Sequence, residues 1–217
     1  MAIVVVGGHS RNIGKTSVVA GLIAGLAEMN WTAMKITQFG HGVCSANGEP
    51  CDCETADHTI AISEERGESG TDTGRYMAAG AVRSLWVRTR QGQLVEAMPR
   101  IRKELERAGN IVIESNSILR FLKPDVYLSI LDPSVEDFKD SARRYLDRAD
   151  AILIPEVSNL GAVPWQGVSA ALYRKIPKIT MQAPGYVSSE LLRFVRDRMG
   201  LSEKEAKPTC EVGGRAS

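Results

Sequence analysis

The chain has 217 residues, 43% of them apolar and 24% charged, which is the balance of a globular protein with enough material for one large core. Its 27 Lys and Arg residues against 26 Asp and Glu leave a formal net charge of +1, without the basic excess of a nucleic-acid surface, so no nucleic-acid partner is expected. No apolar run approaches the ~18 residues of a membrane span, and the opening IVVV is too short for a signal sequence; a cytoplasmic protein without membrane contact is expected.

In chain order, the first strand is IVVVG at residues 3–7, followed by the turn GHSRNIGKT and a helix over 15–29 whose Val18, Val19, Leu22, Ile23, Leu26 and Met29 form one stripe. A second strand, TAMKITQ, spans 32–38. Residues 39–74 are a long polar insertion rich in Gly and Cys, and a loop of this length within a compact domain is usually functional. Strands are then expected at 84–89 (SLWVRT), 110–115 (NIVIES), 125–132 (DVYLSILD), 151–156 (AILIPE) and 178–182 (KITMQ). Helices are expected at 98–108, with Pro99 in the first turn, at 141–149, and at 188–200, with Ser188 or Ser189 as N-cap and Gly200 as C-cap. Short, continuous, β-branched runs suit strands buried on both faces, and their alternation with helices predicts a doubly wound α/β fold with a mostly parallel sheet of about seven strands. A single domain over residues 1–200 is expected, with 201–217 a disordered tail that holds Cys210.

The turn after the first strand is nearly a known phosphate-binding pattern. Gly14, Lys15 and Thr16 match the end of G-x-x-x-x-G-K-[ST], but His9 stands where the first glycine should be; counted from Gly8 the spacer has five residues. In such a loop, backbone N–H groups wrap phosphate oxygens at a helix N-terminus, the lysine offsets their charge and the hydroxyl reaches Mg²⁺. Gly8, Asn12, Ile13, Gly14, Lys15, Thr16 and Ser17 are therefore the candidate nucleotide-binding residues; a tight strand-to-helix turn with an exposed Lys15 is the alternative. Open α/β sheets bind ligands at the C-terminal ends of their strands, where three further groups stand. Lys35 lies inside an otherwise apolar strand and needs an anion to offset its desolvation. Glu114 ends IVIE, and its carboxylate is a candidate for Mg²⁺ or its bound water. Asp72 opens the segment DTGRYMAAGA, where it or Thr71 can also cap a helix. Lys15, Lys35 and Glu114 are the candidate catalytic groups, and Thr16, Asp72 and Glu114 the candidate Mg²⁺ ligands.

The five-residue spacer resembles the dethiobiotin synthetase and cobyrinic acid amide synthase branch of P-loop proteins. The order Gly14-Lys15-Thr16, Lys35, His41, Asp72-Thr73 and Ala79-Gly80-Ala81 is similar to that of the molybdopterin-guanine dinucleotide biosynthesis protein B (MobB) family, over roughly residues 1–115. The chain departs from that family in its spacer, in its cysteine-containing insertion and in IESNS, where those proteins tend to carry Glu-Gly. The resemblance implies a P-loop NTPase fold, binding and slow hydrolysis of ATP or GTP with Mg²⁺, Lys35 facing the phosphates, and a role accessory to molybdenum cofactor maturation with a molybdopterin-related protein partner. It also implies a homodimer. An ATP-dependent ligase of the dethiobiotin synthetase type is the alternative. The guanine signature Asn-Lys-x-Asp is absent, which leaves ATP and GTP open; Asp132 ends DVYLSILD, and Asn159 follows AILIPE at a sheet edge where related folds recognise the purine.

The insertion carries a second motif. His41, Cys44, Cys51, Cys53 and His58 offer five soft or borderline ligands in eighteen residues. Thiolates and imidazoles at this density suit tetrahedral Zn²⁺, with three cysteines and one histidine as the ligand set and an iron–sulfur cluster as the alternative. Free thiols or a Cys44–Cys51 disulfide are the readings without metal. The cluster also raises a third function, a nucleotide-coupled metallochaperone or metal sensor.

Overall fold

The computed structural model describes residues 1–39, 60–67, 70–156 and 165–201. Its strands are β1 (Ile3–Gly8), β2 (Trp31–Phe39), β3 (Ile60–Glu64), β4 (Arg83–Arg90), β5 (Asn110–Glu114), β6 (Val126–Ile130), β7 (Ala151–Pro155) and β8 (Lys178–Met181). The helices are α1 (Lys15–Gly25), α2 (Asp72–Ala78), α3 (Leu94–Arg107), α4 (Asp140–Arg143) and α5 (Ser189–Arg198). All eight strands form one sheet in the order β3-β4-β2-β5-β1-β6-β7-β8. Every neighbouring pair is parallel except β3 with β4. The chain builds outward on one side of β1, returns through β5, and crosses to the other side with β6, so the topology reverses at β1.

The central strands are apolar on both sides because the sheet is covered on both. Val4 and Val6 point to one face, against Val18, Val19, Leu22 and Ile23 of α1, Tyr76 of α2, and Leu191 and Val195 of α5. Val5 points to the other, with Met34, Leu85, Ile113 and the Ile101 side of α3. A smaller cluster of Leu131, Leu146, Ile152, Trp165 and Tyr173 closes the β6–β8 end. The α/β class and the parallel sheet agree with the expectation from sequence.

Four details differ from it. The sheet has eight strands rather than about seven, because Ile60–Glu64, inside the stretch read as one polar insertion, pairs antiparallel along the edge of β4. Helix α3 begins at Leu94, four residues before the expected start, so Pro99 lies beyond its first turn. Pro99 removes the bond to the Val95 carbonyl, and the buried stripe Leu94, Ala97, Met98, Ile101 and Leu105 holds the helix regardless. The first helix stops at Gly25 and tightens into a 3₁₀ turn at Ala27–Met29 before the left-handed Asn30. The 141–149 segment splits into α4 and a 3₁₀ turn at Leu146–Arg148, since neighbouring Tyr145 and Leu146 are drawn into two different clusters.

Candidate functional site

Between the end of β1 and the start of α1, the chain must turn within residues 9–14. Two left-handed residues make the turn, Asn12 at φ 55° and Gly14 at φ 91°. Gly14 is required twice over: its φ disfavours a side chain, and a Cβ there would come 2.8 Å from the Tyr186 ring. Helix α1 has no side-chain cap and no acidic residue in its first turn, so its unpaired N-terminal N–H groups and the positive end of its dipole are available to an anion.

His9, the residue that breaks the common spacing, is fully buried. Its ring lies between Phe138 and Trp165, with centroid distances of 5.1 and 4.9 Å. The Asp132 N–H donates to His9 Nε2 at 3.0 Å, so Nε2 is an acceptor and Nδ1–H donates to the Asp137 carbonyl at 2.7 Å. The ring is thus held neutral in one tautomer, and burial pushes its pKa below the ordinary histidine value. Ser10 continues the anchoring by donating to Asp137 Oδ2 at 2.7 Å. The additional loop residue therefore ties the turn to the segment that follows β6.

Asn116 holds the start of the loop. Its Oδ1 accepts from the Gly8 N–H at 2.9 Å and its Nδ2 donates to the Gly8 carbonyl at 2.8 Å. The approach is close enough that a Cβ on Gly7 would sit 2.1 Å from Asn116 Oδ1. This gives the IESNS departure from the MobB pattern a structural role.

The polar groups gather at the C-terminal ends of β1 and β5 and beside Lys35, which lies at the middle of β2 rather than near its end. Parallel register sets Glu114 opposite Lys35 on one side and Val6 on the other. Thr16 Oγ1 donates to Glu114 Oε2 at 2.9 Å. Lys35 Nζ donates to Glu114 Oε1 at 3.3 Å and forms a short ion pair with Asp72. The hydroxyl of Tyr76, fully buried in α2, donates to Glu114 Oε2. Helix α2 is itself fixed by Thr71, which is the N-cap and accepts from the Gly74 N–H at 3.0 Å. Lys15 Nζ donates back to the Ser10 carbonyl, and Arg75 donates to Ser17 Oγ at 3.0 Å. Lys15, Thr16, Lys35, Asp72 and Glu114 thus stand together, with Gly8, Asn12, Ile13 and Gly14 in the loop beside them.

The electrostatics follow from this packing. Burial pulls Lys15 below the ordinary lysine value; the attraction of Glu114, which exceeds the repulsion from Lys35, does not make up for that desolvation. Burial acts on Lys35 in the same direction, but Glu114 and Asp72 together outweigh it and raise its pKa. Burial and the Glu114 charge raise Tyr76 well above the usual phenol value, which keeps it a hydrogen-bond donor. Lys139, which follows β6, is pushed down to about 8 by burial and by the nearby charges of Lys15 and Arg11.

Sequence reasoning missed Tyr76, Asn116 and Lys139. Tyr76 reads as a core aromatic, Asn116 as a loop polar residue, and Lys139 as one surface lysine among many; each gains meaning only when the topology sets it beside β1. On β4, Arg88 stacks on Trp86 at 4.6 Å and Arg90 ends the strand exposed. His41, Cys44, Cys51, Cys53, His58 and Asn159 lie outside the described residues. Among the described residues no group of three or more His, Cys, Asp or Glu forms a candidate metal cluster, and no helix is long and apolar enough to cross a membrane.

No protein-family model matches the chain. No curated protein matches it either. Among solved structures it is similar to HypB from Helicobacter pylori in complex with nickel, at 13% identity over 91% of this chain and 85% of that one, with a TM-score of 0.48. It is also similar to LpxK from Aquifex aeolicus, an "apo" form in complex with ATP, at 16% identity over 83% of this chain and 54% of that one, with a TM-score of 0.43. What the structure itself establishes is the topology: a mostly parallel α/β sheet that reverses at β1, with a Gly-Lys-Thr turn leading from β1 into α1.

Proposed function

We propose that the protein binds a nucleoside triphosphate with Mg²⁺ and hydrolyses it slowly. The observation that carries this reading is the convergence of Lys15, Thr16, Lys35, Asp72 and Glu114 at the end of β1, where the strand leads into an uncapped helix N-terminus. In this reading the loop from Gly8 to Ser17 receives the phosphate chain, and Lys15 exchanges its Ser10 carbonyl bond for phosphate oxygens. Lys35 spends two of its three donors on Asp72 and Glu114, and its third remains to stabilise charge developing on the terminal phosphate.

The donor set fits Mg²⁺. A hydroxyl and a carboxylate already share one position at Thr16 and Glu114, with Asp72 across the Lys35 ammonium, and hard oxygen donors of this kind suit Mg²⁺ with water and phosphate completing its shell. Thr16, Glu114 and Asp72 would hold the ion, which would neutralise phosphate charge there.

By its resemblance to the MobB family, this nucleotide chemistry would serve molybdenum cofactor maturation beside a molybdopterin-related protein. The Cys/His segment would hold Zn²⁺ as a structural staple, or couple metal binding to nucleotide as a metallochaperone does. Titration calorimetry with MgATP and with MgGTP, paired with phosphate-release assays with and without Mg²⁺, tests the proposal. Saturable binding with Mg²⁺-dependent release is expected. Preference for GTP supports the molybdenum role, whereas preference for ATP with release stimulated by a carboxylate favours the ligase alternative. Absence of binding to both nucleotides overturns the proposal.

A further inference from the structure

The segment after β6 brings a cation to the loop from the side opposite Lys35. Lys139 is fixed there by its backbone: its N–H donates to the His9 carbonyl at 2.8 Å, and its own carbonyl accepts from Ala142 and Arg143, each at 3.0 Å. The half-buried side chain lies within electrostatic reach of Lys15 and Arg11. Among the described residues no carboxylate comes within ion-pair distance of its ammonium. Asp137, two residues away, spends Oδ2 on the Ser10 hydroxyl. A partly desolvated cation beside two others is electrostatically unfavourable until an anion arrives. The strand order sets β2 and β5, with Lys35 and Glu114, on one side of β1 and β6 on the other. Lys35 and Lys139 therefore flank the same loop.

We infer that Lys139 is a second phosphate-contacting lysine, which reaches the phosphate chain of the bound nucleotide from the β6 side. This rests on the nucleotide-binding reading above. The charged groups that face Lys139 are Lys15 and Arg11 from the loop and α1, Glu114 from β5, and Asp137 from its own segment. Its pKa of about 8 means that the free protein holds this lysine partly neutral in mild alkali, and a bound polyphosphate would restore the proton.

The test is calorimetry of MgATP and MgGTP binding at a pH of about 8.5, in two buffers of different ionisation enthalpy, for the wild type and for K139M, K139R and K15A. Wild type is expected to take up a fraction of a proton on binding. K139M is expected to bind about 10- to 100-fold more weakly and to lose the uptake. K139R is expected to keep most of the affinity, because the charge remains, and also to lose the uptake, because arginine does not titrate in this range. Since Lys15 shares the site and is also depressed, only the variants assign the proton. Unfolding curves establish that each variant is folded; if K139M is not, K139R decides the question. Wild-type affinity in K139M, or uptake in K139R undiminished from the wild type, overturns the inference while leaving the nucleotide reading intact. Wild-type affinity in K15A overturns both.

Discussion

The two flanks of the loop between β1 and α1 are built on different principles. On the β5 and β2 side, Glu114, Lys35, Asp72, Thr16 and Tyr76 bond to one another, so each charge is met by an opposite charge or a directed donor. On the β6 side the loop is held by a neutral buried histidine between two aromatic rings, and the nearby lysine has no carboxylate in ion-pair range among the described residues. One flank is polar and internally balanced; the other is a rigid apolar anchor that leaves positive charge for a ligand to satisfy. A loop one residue longer than the common pattern can keep its shape because the additional residue is spent on that anchor.

The contrast can be broken from either side. The largest effect is expected from Lys35→Met, which leaves Asp72 and Glu114 facing each other without their shared cation. Removing one partner from a largely buried ion pair costs about 3 kcal/mol, and urea denaturation would read it; an unchanged midpoint would mean that the balanced network does not hold that flank. Next is His9→Gly, which restores the glycine of the common pattern but removes ring packing and leaves the Asp132 N–H without its acceptor. A loss of about 2 kcal/mol is expected. A neutral or stabilising result would show that the β6 flank is not anchored by this ring.

The pH dependence sharpens the same point. His9 has a folded-state pKa below its unfolded value of about 6.5, so the unfolded chain binds more protons as acid is added. Its contribution is fully present above pH 6.5 and is lost as the pH falls through the lower, folded value. Thermal unfolding between neutral and mildly acid pH should show stability falling in the wild type and a shallower fall in His9→Gly. Parallel profiles would contradict the buried neutral tautomer. The smallest effect is expected from Thr71→Ala, which uncaps the helix that carries Asp72 and Tyr76, at a cost of about 1 kcal/mol. A loss well above 3 kcal/mol in the same denaturation assay would mean that α2 depends on that cap for more than its first turn.

Much of this architecture is written in local patterns. The β-branched runs mark seven of the eight strands, and Gly-Lys-Thr between a strand and an amphipathic helix marks the loop. Lys35 and Glu114 stand out because a charged residue within or at the end of an apolar strand needs a partner, and the register makes them each other's. Strand β3 was hidden because an edge strand is only half covered: Ile60 and Ile62 are partly buried, and polar residues follow at once. The start of α3 was hidden because Pro99 suggests a first turn, whereas the Leu94 and Ala97 stripe begins the helix earlier. Tyr76, Asn116 and Lys139 act through contacts spanning 38, 108 and 130 residues of chain, respectively, to Glu114, Gly8 and His9. No periodicity or spacing motif encodes such distant pairings; they come from the order of strands around β1.

The most direct test of the central claim is the affinity of Lys15→Ala for MgATP and MgGTP relative to the wild type, with folding verified by thermal unfolding. Lys15 lies within electrostatic reach of Glu114 and Lys35 on one flank and of Lys139 on the other, and its only bond among the described residues is to the Ser10 carbonyl, so its loss should leave the fold in place. The wild type is expected to bind at least one of the two nucleotides, and the variant to bind it at least about 100-fold more weakly. Equal affinity in the two proteins would place the nucleotide elsewhere and contradict the phosphate cradle at the end of β1.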